Sequence, residues 1–131
     1  MEGKIVQRVA AVWHGGKSVE GTAEAGKKVL MSDDLKPTDL VLMAAAGCSG
    51  LTFLAVAREK GFRIRRLSVE AVGERATSEP RSFQQISLKF AVGGEGLALA
   101  EVEEALRVAH QRCPVLQSLD KGIKVLIQCN L

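Results

Sequence analysis

Three cysteines, Cys48, Cys113 and Cys129, hold most of the covalent chemistry open to this 131-residue chain. Cys48 lies in "PTDLVLMAAAGCSG", residues 37–50, amid alanine and glycine. On the local sequence alone it reads best as a small core hydrophobe, because a mid-helix thiol lacks the N-terminal dipole that favours a thiolate. To act as a nucleophile it needs a cation from elsewhere in the fold. Cys113 precedes Pro114 in "AHQRCPVL". A helix starting there offers free N–H groups to a thiolate, yet Cys113 also extends an apolar stripe, and the two readings stand level. Cys129 sits on the apolar face of a strand and reads as core. His14 and His110 read as surface or turn residues. No C-x-x-C or H-x-x-x-H pair occurs, so the spacing of a zinc site is absent. A Cys–His hydrolase lacks local support, with no nucleophile-elbow pattern around Cys48.

The elements that must hold these thiols follow from pattern. Residues 4–13, "KIVQRVAAVW", read as a strand, followed by a turn at "HGG". "KSVEGTAEA" and "KVLMS" complete a β-meander. A long helix runs from Thr38 to about Lys60, with Pro37 suited to its start and Gly61 to its stop. Two alternating segments, 62–76 and 83–92, form a hairpin around "TSEPRS". Residues 97–112 make an amphipathic helix with Val102, Ala105, Leu106 and Ala109 on one stripe. A short helix, "PVLQSLDK", and a final strand, "IKVLIQCNL", close the chain. The order predicts an α+β fold in a single domain spanning 1–131.

From Leu40 to Ala57 there are 18 residues without a charge. Length alone would suit a membrane span. The many small residues, and the charges at Arg58, Glu59 and Lys60, favour a buried helix of a soluble protein. A helix apolar on all faces must be covered on all faces. One small sheet covers one side, so a second subunit is expected to cover the other, giving an obligate homodimer. Net charge is only +3 and aromatics are 4%, which argues against nucleic acid as a partner. The basic run at 58–66 reads as a helix end followed by a strand start. "MEGKIVQRV" lacks the apolar core of a signal peptide, so a cytoplasmic location is expected, where three cysteines do not make a disulfide framework.

"PTDLVLMAAAGCSG" taken together with "AHQRCPVL", its cysteine 65 positions later, resembles the OsmC/Ohr family. The hairpin "ERATSEPRSFQQISLKF" resembles that of its YhfA-type branch. The resemblance covers residues 37–131 best, the meander in outline. It implies an intertwined α+β homodimer with a long central helix and active sites at the subunit interface. It further implies a thiol peroxidase for small organic hydroperoxides. Cys48 would be oxidised to a sulfenic acid, Cys113 would resolve it as a disulfide, and an external dithiol such as a lipoyl group would reduce the pair. No cofactor or metal is required.

Two positions depart from the family pattern. Its Arg follows a glycine pair, where this chain has Lys17, and no Arg lies between Arg8 and Arg58. Lys supplies charge without a planar fork. The family Glu directly follows the proline, whereas here Thr38 intervenes before Asp39, an offset of about 100° on a helix. Lys17 is thus the expected electrostatic stabiliser and Asp39 its orienter, or else a helix-terminal charge. The alternative is a dimeric binding module for an apolar ligand with little peroxidase activity.

Overall fold

Residues 3–119 and 121–131 are described by a computed structural model. Met1 and Glu2, where the signal-peptide reading begins, and Asp120, near the end of the expected short helix, lie outside them. The chain divides into two compact units, one ending at Leu40 and the other beginning at Val41.

The first unit holds an antiparallel meander, β1 (Ala10–Trp13), β2 (Val19–Thr22) and β3 (Lys28–Met31). Gly15 and Gly16, both at positive φ, turn the chain between β1 and β2. The first strand begins six residues later than the pattern predicts. Alternation alone does not make a strand; it needs a neighbour to hydrogen-bond, and β2 pairs with Ala10–Trp13 only. Ile5, Val6 and Val9 are left exposed, as are Val12, Trp13 and Leu30.

Helix α1 (Pro37–Glu59) begins at the edge of this unit and continues into the second. Lys36 is its N-cap, Pro37 its first residue, and the Asp39 carboxylate accepts the Lys36 N–H at 2.9 Å. At the other end Gly61, at φ 78°, closes the helix. Phe62 N–H bonds the Ala57 carbonyl at 2.9 Å and Gly61 N–H that of Arg58 at 3.1 Å, a Schellman closure.

The second unit is a sheet with helices on one face. β4 (Arg63–Arg75) and β5 (Phe83–Glu95) pair antiparallel, and β6 (Lys124–Asn130) joins β5 in parallel. A parallel neighbour requires a crossover. Here it is built from α2 (Leu99–Arg112) and α3 (Pro114–Leu119). Ile86, Leu88, Phe90 and Val92 point inward from β5; Phe53, Val56 and Ala57 of α1 and Val102, Ala105, Leu106 and Ala109 of α2 bury with them. Phe53 meets Phe90 edge-on at 5.8 Å, a contact adding about 1 kcal/mol beyond burial.

Candidate functional site

Small residues set the depth of α1. Ala45, Ser49 and Gly50 face the core, and a Cβ at Gly50 would stand 3.4 Å from Val69 and 3.6 Å from Leu67 of β4. The adjacent Cys48 is therefore held at the margin of the core, half-buried. Thr52 donates its hydroxyl to the Cys48 carbonyl at 2.8 Å. Val41, Met43 and Leu51, by contrast, remain exposed, Leu51 at 72%. The helix is long and apolar enough to cross a membrane by length and composition. Its inner face packs instead as a core helix against protein.

Cys113 is delivered by the crossover. It ends α2 in an extended conformation (φ −78°, ψ 113°) and begins α3, its carbonyl accepting the Gln117 N–H at 2.9 Å. It stands at the start of α3, where the backbone N–H groups of Leu116 and Val115 favour its thiolate. It is 0% exposed, the half-buried Cys48 packs at the margin of the same core, and Cys48 is near enough to act on the Cys113 thiol. Burial pushes the Cys113 thiol above its ordinary pKa. The two N–H groups pull it down without overcoming burial, and the neighbouring Cys48 adds to the rise. The structure thus brings together two thiols 65 positions apart, both reduced, one accessible and one enclosed. Such a pair can exchange two thiols for a disulfide.

Lys17 and Asp39 are not brought to each other. Lys17 Nζ lies 4.0 Å from Asp33 Oδ2, with both side chains largely exposed, while Asp39 serves the start of α1. Cys129 lies half-buried on the inner face of β6, and its thiol is pushed up by burial and then by Glu103. It borders a cavity of about 410 Å³ between α2 and β6, lined also by Leu106, Arg107 and Ile127. This cavity touches neither Cys48 nor Cys113, and the paired thiols are the better guide to chemistry. Among the described residues, no three His, Cys, Asp or Glu side chains gather as metal ligands. One residue absent from the sequence-based site is Gln117, whose side chain donates to the His110 carbonyl at 2.8 Å. Its place in the turn after Cys-Pro was its only signal.

Residues 30–128 match the family model described as OsmC-like protein. This chain belongs to the OsmC-like family. Among its relatives, protein YhfA of Escherichia coli K12 is 29% identical over 119 residues, covering 86% of this chain and 89% of YhfA. The OsmC-like protein from Mycoplasma pneumoniae matches in fold with a TM-score of 0.87 at 19% identity, over 100% of this chain and 99% of that one. An organic hydroperoxide resistance protein from Elizabethkingia anophelis matches with a TM-score of 0.80 at 18% identity, over 99% of each chain. The α+β architecture is thus that of OsmC-like proteins, and α1 is the core helix of a soluble fold.

Proposed function

We propose that the chain is a cytoplasmic thiol-dependent peroxidase that reduces small organic hydroperoxides in defence against oxidative stress. The observation that carries this reading is the accessible Cys48 thiol near the enclosed Cys113 thiol. Cys48 attacks the terminal peroxide oxygen: Cys48–SH and ROOH give Cys48–SOH and ROH. Cys113 then attacks that sulfur, forming the disulfide and releasing water. An external dithiol, such as a lipoyl group, returns both to thiols and is itself oxidised to a disulfide. The order follows from burial, since a solute reaches Cys48 before the fully enclosed Cys113. Lys17 is the cation this reading assigns to the thiolate, while Asp39, bonded to the Lys36 N–H, does not orient it within the chain. The names of structural neighbours described as organic hydroperoxide resistance proteins support this choice of substrate class.

The working unit in this reading is a homodimer. Val41, Met43 and Leu51 on α1, and the apolar side chains left open on the meander, supply the surface for it. The deciding assay is consumption of cumene hydroperoxide beside hydrogen peroxide, with dihydrolipoamide as reductant and Cys48→Ser as the blank. Cys48-dependent turnover that prefers the organic peroxide supports the enzyme; equal rates in protein and blank reject it.

One observation favours a second reading, a dimeric binding module for a small apolar ligand. Asp39 is engaged at the start of α1 and Lys17 with Asp33, so neither is held ready for a thiolate within the chain. A copurifying apolar molecule in native mass spectrometry, with no turnover, selects this reading.

A further inference from the structure

Helix α3 has six residues, too few to persist by backbone bonds alone. Its position depends on what ties it to α2. Leu116 is buried in the core, Val115 and Leu119 pack against it, and a polar tie back to α2 runs through Gln117. Gln117 N–H bonds the carbonyl of Cys113 at 2.9 Å, and its side-chain amide bonds the carbonyl of His110 at 2.8 Å. His110 lies in the last turn of α2, where carbonyls lack helical partners. One exposed residue therefore bonds both Cys113 itself and the last turn of α2 that leads into it. Its side-chain bond fixes the angle at which α3 leaves α2, and that angle sets where the Cys113 sulfur stands relative to Cys48. A disulfide tolerates only Cα separations of about 4.4–6.8 Å and a restricted torsion, so a small opening of the elbow matters.

We infer that Gln117 is a positioning residue for disulfide closure, holding the Cys113 sulfur in line with Cys48 through its bond to the His110 carbonyl. This rests on the redox reading of the two thiols. Gln117 takes no part in the first oxidation and touches neither sulfur in the closing step. In that step Cys48–SOH and Cys113–SH give the disulfide and water.

The experiment uses the full chain, with Gln117→Met, of similar length but without a donor, beside Gln117→Glu, an isostere that cannot donate when ionised. Circular dichroism selects whichever variant retains the native fold. Cys48 oxidation by cumene hydroperoxide is followed with and without dimedone, which traps the sulfenic acid. Closure is followed separately with diamide, which oxidises two thiols to a disulfide without a peroxide. The expected result is an unchanged rate of Cys48 oxidation, dimedone capture raised at least about threefold, and diamide closure slowed by a similar factor. A purely structural role would lower the melting temperature without separating oxidation from closure. Equal closure rates in variant and wild type overturn the inference. If wild type forms no sulfenic acid but diamide closure still slows in the variant, the peroxidase reading falls and the positioning role stands.

Discussion

Cys113 stands at the N-cap of α3, its carbonyl accepting the Gln117 N–H at 2.9 Å, and the N–H of Leu116 favours its thiolate. The thiol is thus part of the structure as well as a redox group. Cys113→Ser retains an acceptor for α3, whereas Cys113→Ala leaves the first N–H groups of a buried helix start without one. Losing an N-cap costs about 1 kcal/mol. Urea unfolding under reducing conditions should place the Ala variant about that much below the Ser variant; equal midpoints would remove the cap.

The raised pKa of Cys113 couples stability to pH. The folded chain holds this proton more tightly than the unfolded chain. The resulting stability is complete below the unfolded thiol value, near 8.5, and is lost as pH rises toward the folded one. Cys129, also raised, contributes in the same sense. Unfolding midpoints measured from pH 7 to 10 should fall on the alkaline side, and the fall should be shallower in a Cys113→Ser, Cys129→Ser double variant.

Lys17 is 82% exposed and its pairing with Asp33 lies at the surface, so stability owes little to it. In the peroxidase reading its charge supports the Cys48 thiolate. Lys17→Met should therefore slow the first oxidation of Cys48 by about tenfold, equivalent to about 1.4 kcal/mol, and leave the melting temperature within a degree or so. Stopped-flow oxidation with cumene hydroperoxide measures this. An unchanged rate assigns the thiolate to another cation.

Leu51 is an exposed leucine on an otherwise apolar helix surface. The homodimer reading requires a partner to cover it. Multi-angle light scattering should give twice the chain mass for the wild type, while Leu51→Lys should shift the population toward monomer. A wild-type monomer at micromolar concentration would leave this face without its proposed partner.

Close approach at Gly50 sets how near the helix carrying Cys48 lies to β4. A methyl group would meet Val69 and Leu67 at 3.4–3.6 Å, ordinary contact, so Gly50→Ala should lie within about 1 kcal/mol of wild type. Gly50→Val adds bulk that must displace α1 from β4, at a cost of about 1–3 kcal/mol. Thermal unfolding distinguishes the two, and diamide closure reports whether Cys48 has moved.

Periodicity carried the second unit well, because its segments make their own partners. The strict alternation of β5 places Ile86, Leu88, Phe90 and Val92 inward. Pro37 and Gly61 mark the ends of α1 within a residue or two. The meander was less legible because strand length depends on pairing: residues 4–9 look like a strand, but among the described residues β2 pairs only with Ala10–Trp13. The nearness of Cys48 and Cys113 was not legible from local sequence, since the two lie 65 positions apart on different elements, and it came from family resemblance. Asp39 shows the converse limit. A carboxylate near a helix start serves equally as an orienter or a cap, and its bond to Lys36 N–H reveals the use made of it in this chain.

The parallel pairing of β6 with β5 gives the thiol pair a calendar. Cys48 is made 65 residues ahead of Cys113, and β6, which pairs in parallel with β5, is reached only after the crossover that carries Cys113. An oxidant that meets the growing chain finds a solitary thiol with nothing to intercept its sulfenic acid. In the peroxidase reading, a chain made only as far as Cys48 therefore carries the nucleophile without the thiol that resolves it.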